Sequence, residues 1–248
     1  MAYEIRSITQ VGTSEPFELQ VARGQIPGHS VVHKFGANFD IDNNSEPETV
    51  WTAGGLYPWS ALSTAQTLWL ASDDTDDDGD IEIQGLDADY NLLTETVTIS
   101  SEGAVDTQAK FLRVYRMTYS ATNAGVITAR ATTSAGTVVA QIDEGYAQTL
   151  MAIYTVPAGY SAYILCGDFS VQKNKDAQLR FYQRPFGGVF RIAHMSEVFE
   201  NHYRYDFPIP LRMPEKTDLD IRADNVETNN TRVTSNFTMC LVKEQGSL

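Results

Sequence analysis

Short runs that alternate hydrophobic and polar residues recur along most of the chain and predict β-strands. TLWLAS (67–72), DIEIQG (80–85) and TETVTIS (94–100) place apolar side chains at roughly every second position, which is the spacing of a strand with one face toward water. β-branched and aromatic residues are common in these runs, and Gly, Asn, Asp and Pro separate them. No long helix is predicted, so the expected fold class is all-β.

The strand-like runs predict an N-terminal arm, a small β unit and a larger sandwich. Residues 1–46 hold one clear strand, SVVHKF (30–35), and are predicted to form an extended arm that is ordered by packing on the body of the protein or on a partner. Residues 47–119 predict an immunoglobulin-like unit or a meander, and residues 120–248 hold about eight runs, the number of strands in a jelly roll. The pattern leaves open whether there are two sandwiches or one sandwich with an elaborate insertion.

Composition and charge exclude several classes of function. The chain has 248 residues, of which 42% are hydrophobic, so it can bury a substantial core. Its formal net charge of −14 would repel nucleic-acid phosphates, and no direct nucleic-acid partner is expected. The N-terminal residues lack the basic and then apolar pattern of a signal peptide, and no apolar run is long enough to cross a bilayer. Neither secretion by the Sec pathway nor a membrane location is therefore expected.

The two cysteines, Cys166 and Cys240, each lie inside an apolar run. Small cysteines with apolar neighbours are usually core residues. Buried free thiols are therefore predicted, with a disulfide between paired strands as the alternative.

The most acidic stretch, DDTDDDGDIEI (73–83), begins like a calcium loop, with D-x-D-x-D-G running from Asp74 to Gly79. An EF-hand loop closes with a bidentate glutamate at its twelfth position. That position is Gly85, and the residues after Gly79 read as a strand instead of a helix. The stretch is therefore predicted to be an exposed acidic turn without a required metal, and a calcium-dependent binding module remains the alternative.

No constellation of catalytic residues can be identified. The four histidines lack the spacing of a zinc site, and the chain has no nucleophile elbow and no phosphate-binding loop. Paired carboxylates are too common in an acidic chain to single out a glycosidase pair. We expect no catalytic residue, no cofactor and no enzyme activity.

Aromatic and apolar clusters are the candidates for an interface. The aromatic residues around GGLYPW (54–59) could be core, subunit interface or carbohydrate contacts, and RPFGGVFRI (184–192) has the same ambiguity. The predicted arm supplies a third group. The residues predicted to contribute to an interface are Pro27, His29, Val31, Val32, His33, Phe35, Trp51, Tyr57, Trp59, Arg184, Phe186 and Phe190. Because unpaired sheet edges need covering, self-association is also expected.

Several stretches resemble an uncharacterised family of tailed-phage virion structural proteins, found in phages that include those of aquatic bacteria and cyanobacteria. The resemblance runs through nearly the whole chain. The stretches that carry it include VARGQIPGHSVVHKFG (21–36), ETVWTAGGLYPW (48–59), RPFGGVFRI (184–192) and PLRMPEKTDLDIRAD (210–224). None of them is a catalytic signature, so the resemblance implies a context more strongly than a mechanism.

The resemblance implies a head decoration or cement protein, expected as a homotrimer, that stabilises the head by bridging subunits of the major capsid protein. Its expected location is the capsid surface of a virion that is assembled in the host cytoplasm. The arm would attach it to the shell or to a neighbouring subunit. The alternative is a tail-associated adaptor or a receptor-binding protein that holds a host glycan.

Overall fold

The computed structural model describes residues 15–43, 46–101, 103–224 and 226–244. Within them the chain forms one short helix, α1 (Phe17–Ala22), and sixteen strands. The strands are β1 (His29–Ile41), β2 (Glu48–Thr49), β3 (Leu68–Ser72), β4 (Gly79–Leu86), β5 (Leu92–Ile99), β6 (Val105–Asp106), β7 (Arg113–Tyr119), β8 (Ile127–Ala131), β9 (Val138–Ile142), β10 (Ile153–Thr155), β11 (Tyr160–Val171), β12 (Asp176–Arg184), β13 (Arg191–Phe199), β14 (His202–Met213), β15 (Asp218–Asp224) and β16 (Thr231–Lys243). The predicted all-β class is confirmed. The first fourteen residues of the predicted arm lie outside the described residues.

Eight of the strands are paired in the order of a jelly roll. One sheet has the order β1-β16-β11-β14 and the other has the order β10-β15-β12-β13, with antiparallel neighbours throughout. The first strand therefore lies beside the last, and the chain passes repeatedly between the two sheets as it wraps around one core. The predicted jelly-roll-like sandwich is confirmed.

The strand that runs along the outer side of β15 is divided between two distant parts of the chain. β2 pairs with the C-terminal half of β15, and β10 pairs with its N-terminal half. At the division, the Val50 amide donates to the Ile221 carbonyl at 2.8 Å, and the Ala152 amide donates to the Val50 carbonyl at 2.9 Å. The chain thus leaves the jelly roll after residue 50 and returns to it at residue 152.

The residues between these two points form a smaller sandwich, which we call the insertion. Its sheets have the orders β6-β3-β8-β9 and β5-β4-β7. A constant-type immunoglobulin domain also has one sheet of four strands and one of three, although the order of its strands differs. β8 and β9 lie in the insertion, whereas the sequence pattern placed their residues in the C-terminal segment. The pairing divides the chain near residues 50 and 152 instead of at 46 and 119.

Each sandwich has its own buried cluster of hydrophobic side chains. In β12 the buried residues Ala177, Leu179 and Phe181 alternate with half-buried ones, as the period of a strand requires. Phe181 meets Phe237 of the opposite sheet edge to face, with ring centroids 5.5 Å apart. Burial of one such side chain stabilises the fold by about 1.5–3 kcal/mol, so the alternating runs that predict strands also hold the two sheets together.

β1 is a full strand of the jelly roll and is longer than the run 30–35 that predicted it. It pairs with β16 along most of its length. Its inward face carries the buried Lys34 and Asn38, and the Lys34 ammonium donates to the Tyr115 carbonyl of the insertion. Burial lowers the pKa of Lys34 well below its usual range. The predicted arm is therefore integrated into the sheet from His29 onward, and only α1 and the turn after it precede the sheet among the described residues.

Both cysteines are free thiols, as predicted. Cys240 is buried, whereas Cys166 is half-buried. Among the described residues no helix has the length and apolar composition needed to cross a membrane.

Candidate interaction surfaces

The aromatic residues around GGLYPW fold onto one another and are buried within the chain. Trp51, Tyr57 and Trp59 are each less than a tenth exposed. The Tyr57 ring lies between the two indoles, with centroids 5.1 Å from Trp51 and 4.8 Å from Trp59. The Trp51 indole donates to the Gly54 carbonyl at 2.9 Å and so closes the turn. Of the three interpretations left open by the sequence, the core interpretation accounts for these residues.

Trp59 leads into a buried cluster of charged residues that the sequence analysis did not predict. Its indole donates to Asp220 Oδ2 at 2.9 Å. The Asp220 carboxylate also accepts from Arg222 Nε at 2.9 Å and from Thr49 Oγ1 at 3.0 Å. Burial raises the pKa of Asp220, and the neighbouring Arg222 opposes the shift. The Asp220 carboxylate therefore joins the GGLYPW turn to β2 and β15.

Asp218 joins the insertion to the jelly roll. Its carboxylate accepts from Arg113 Nε of β7 at 2.9 Å, from Arg184 Nε of β12 at 2.9 Å and from Thr155 Oγ1 of β10 at 2.6 Å. The Arg184 guanidinium also lies 4.5 Å from the centroid of Phe190 and 5.3 Å from that of Trp59. The structure thus brings together three of the predicted interface residues, but at a junction inside the chain.

The sequence signal for this cluster is the strand DLDIRAD itself. Its charged residues Asp218, Asp220, Arg222 and Asp224 share one face, and both faces of the strand are buried. Charged residues at alternate positions normally indicate a face toward water. Here the insertion, including its GGLYPW turn, covers that face, and the spacing of residues does not indicate this tertiary contact. We refer to Arg113, Arg184, Asp218, Asp220 and Arg222 as the buried ion cluster.

A first exposed apolar surface lies at the edge of the jelly roll formed by β1. Phe17 and Leu19 of α1 and Val31 of β1 are exposed, and we call these three residues the N-terminal surface. Phe17 meets the His29 ring edge to face at 6.0 Å, so the helix is seated beside the strand. His29 in turn has a ring nitrogen 3.1 Å from the Pro27 carbonyl.

The other predicted residues of this segment lie close to the N-terminal surface. His33 is exposed, with a ring nitrogen 3.0 Å from Thr238 Oγ1, and Val32 and Phe35 are half-buried. Five of the six predicted arm residues thus lie on β1 itself, and Pro27 lies in the turn that precedes it.

A second and larger apolar surface lies at the opposite edge, where β13 and β14 end the two sheets. Seven of the thirteen large hydrophobic side chains that are exposed among the described residues fall in residues 186–209, and each is at least 41% exposed. We call these seven residues the edge surface: Phe186, Val189, Ile192, Met195, Phe199, Tyr203 and Ile209. Phe186 is the only one of them among the interface residues predicted from the sequence.

β13 carries apolar residues on both of its sides. Ile192, Met195 and Phe199 are exposed on the outward side together with Glu197, whereas Val198 on the core side is buried and His194 and Ser196 are half-buried. The His194 ring lies 4.8 Å from the ring of Tyr205 and stacks against Tyr203, and burial lowers its pKa. Because the apolar residues of β13 lie on both of its sides, their spacing in the sequence does not distinguish this exposed strand from a buried one.

The acidic stretch 73–83 is only partly the exposed turn that was predicted. Asp77 is 2% exposed, and its carboxylate accepts from the amides of Ala124 at 2.7 Å and Gly125 at 3.1 Å. Asp73 accepts from the Val126 amide at 2.6 Å. No group of three or more metal-ligating side chains in the described parts of the chain is arranged to hold an ion. Asp77 is thus a structural acceptor that holds the loop against residues 124–126.

Replacing Asp77 with alanine is expected to lower the free energy of unfolding by about 1–3 kcal/mol, because two amides would lose their acceptor. Denaturant unfolding followed by circular dichroism measures the change. Asp76→Ala is the matched control, since Asp76 lies on the exposed side of the same loop, and its unfolding midpoint should stay at the wild-type value. Equal shifts in the two variants would contradict the structural role of Asp77.

No protein-family model matches the chain, and no curated protein matches it. Among solved structures, the VP2 subviral particle of infectious bursal disease virus is similar over 92% of this chain and 77% of that one, at 8% identity and a TM-score of 0.22. The Gx strain of the same virus matches over 88% and 73% of the two chains, at 10% identity and a TM-score of 0.24. The Gt strain matches over 94% and 78%, at 10% identity and a TM-score of 0.23. At such low scores the assignment of the jelly roll rests on the strand pairing of this chain alone.

Proposed function

We propose that the protein is a virion structural protein of a tailed phage, a head decoration or cement protein that bridges subunits and catalyses no reaction. The observation that carries the proposal is the position of its two exposed apolar surfaces at opposite edges of one acidic β-sandwich. Exposed patches of this kind mark protein interaction sites. A body with two such surfaces can hold two other molecules at once, which is the task of a cement protein.

The charge and the sequence resemblance support the same function. A net charge of −14 keeps assembled particles apart in solution and disfavours direct contact with packaged DNA. The stretches that resemble tailed-phage structural proteins include VARGQIPGHSVVHKFG, which contains most of β1. The N-terminal surface is therefore assigned to the major capsid protein. Added interface area on the shell would resist the outward pressure of packaged DNA.

The number of copies per particle tests the assignment to the head. Quantitative gel staining of purified virions should find hundreds of copies for a protein that covers the shell. A handful of copies, or a few dozen, would contradict the proposal and favour the tail-associated adaptor.

Charge placed on the N-terminal surface should abolish attachment to the shell. We expect particles that lack the protein to rebind the purified wild-type chain in a co-sedimentation assay, and the double variant Phe17→Asp, Val31→Asp to lose at least nine-tenths of that binding, roughly a tenfold effect. Leu56→Asp is the matched control, because Leu56 is as exposed as Phe17 but lies beside Asp40 and Asp42, at the other end of β1 from Val31. Normal binding by the double variant would refute the assignment of this surface.

A further inference from the structure

The edge surface differs from the rest of the molecule in charge as well as in polarity. Residues 186–209, which contain it, carry two arginines and three carboxylates, a net charge of −1. The other 224 residues therefore hold a net charge of −13. Because the pKa of His194 is lowered by burial, that histidine adds no charge to the surface at neutral pH. The largest exposed apolar surface thus coincides with a segment that is close to neutral.

This charge distribution favours a second copy of the same chain as the partner. Over most of the surface, contact between two copies would bring negative charges together. This repulsion costs free energy, and the cost rises as water is excluded from the contact. At the edge surface this repulsion is small because the segment is close to neutral, and burial of its apolar side chains favours association. Arg191 is exposed beside the apolar residues, and it can face the carboxylate of Glu197 or Glu200 of a second copy.

The exposed area is also large enough for a stable contact. Taking about 200 Å² for a large side chain, the exposed fractions of the seven residues correspond to roughly 800 Å² on each copy. A standard interface buries about that area on each partner.

At β14 the edge surface favours contacts between side chains over extension of the sheet by another strand. β14 contains Pro208 and Pro210 on either side of Ile209, and proline has no amide to donate to a neighbouring strand. Its pairing with β11 shifts register over the same residues. Ile209 is 86% exposed, the largest value among the exposed hydrophobic residues of the described chain. These features hinder strand addition at β14, so the exposed apolar side chains are the expected means of contact there.

We propose that the edge surface is the contact between copies of this chain, while the N-terminal surface remains free for the shell. The inference deepens the proposed function and rests on it for its biological setting. The self-contact itself is tested in solution without any phage component, so the two proposals can fail separately.

Sedimentation velocity over a range of protein concentrations tests the self-contact. The wild-type chain should sediment as an oligomer at micromolar concentration. Ile209→Asp and Met195→Asp should each weaken association at least tenfold and give a monomer under the same conditions. Leu56→Asp, at a site about as exposed as Met195 in the turn that follows β2, should sediment like the wild type, because β2 and β13 lie at opposite ends of their sheet. Circular dichroism and the thermal midpoint would confirm that all the variants are folded.

Three outcomes would overturn the inference. The first is a wild-type chain that stays monomeric at the highest concentration. The second is an oligomer that both edge variants leave intact. The third is a monomeric chain whose Ile209→Asp variant no longer binds particles, which would assign the edge surface to the capsid protein instead. Loss of the oligomer in the edge variants together with a low copy number in virions would support the self-contact and contradict the proposed function.

Discussion

Replacing Asp218 with asparagine is expected to lower the free energy of unfolding by about 3–5 kcal/mol, the range found when one partner of a buried ion pair is removed. Asp218 carries the only negative charge that contacts both Arg113 and Arg184 in the described structure. Arg113 is itself buried, so the loss of the carboxylate charge would leave an uncompensated guanidinium between the two sandwiches. Urea unfolding with a two-state fit measures the effect.

An exposed ion pair provides the control for this experiment. Arg204 and Asp206 are bonded at 2.9 Å, but each side chain is about 60% exposed. Solvent screens such a pair, and Asp206→Asn should leave the unfolding midpoint unchanged. If the Asp218 and Asp206 variants unfolded at the same denaturant concentration, the buried ion cluster would have no special role in joining the insertion to the jelly roll.

Replacing Gly36 with alanine is expected to lower the free energy of unfolding by about 3 kcal/mol, at the upper end of the usual range for an overpacked site. A Cβ atom at Gly36 would lie 2.3 Å from both the Ala152 amide nitrogen and the Val50 carbonyl oxygen. These are backbone atoms at the division of the strand beside β15, so relief of the clash would require β1 to move away from β2 and β10. Thermal unfolding followed by differential scanning calorimetry would show the loss as a lower midpoint.

Gly188 offers a matched glycine for comparison. A Cβ atom there would meet the Pro185 carbonyl oxygen at 3.1 Å in an exposed turn that can adjust. Gly188→Ala should therefore have a midpoint near that of the wild type. A Gly36→Ala protein that is as stable as Gly188→Ala would mean that β1 does not pack this closely against residues 50 and 152.

The sequence was sufficient to predict local structure, because a strand has a period of two residues that can be read from neighbours. Ala177, Leu179 and Phe181 show that period, and they form one buried face of β12. The residues near a strand do not indicate which other strand it will pair with. The run that forms β8 has the same character as the runs of the C-terminal sandwich, yet it pairs with β3 about sixty residues earlier in the chain. The predicted boundaries differ from the observed division for this reason.

For the candidate surfaces, the sequence indicated some of the residues involved but not whether they are buried or exposed. Arg184, Phe190 and Trp59 were selected for their residue types, and the structure does bring them together, although inside the chain. Residue type could not indicate that Asp218 and Asp220 are buried among them, because the cover comes from a part of the chain more than a hundred residues away. Ile192 and Met195 show the opposite case, because they are apolar residues that are exposed. A strand with apolar residues on both sides predicts burial on both sides, and only the position of β13 at the end of its sheet leaves them exposed.

The divided strand beside β15 also makes the conformational entropy of the insertion matter for the stability of the jelly roll. Closing an unstructured loop of about one hundred residues costs on the order of 4 kcal/mol, and in this chain the folded insertion removes that cost by holding its own two ends together at residues 51 and 151. The free energy that holds β2 and β10 in register therefore includes a contribution from the insertion that no side-chain contact represents. A substitution that loosens the insertion far from the jelly roll will weaken the jelly roll as well, by freeing the ends that complete its sheet.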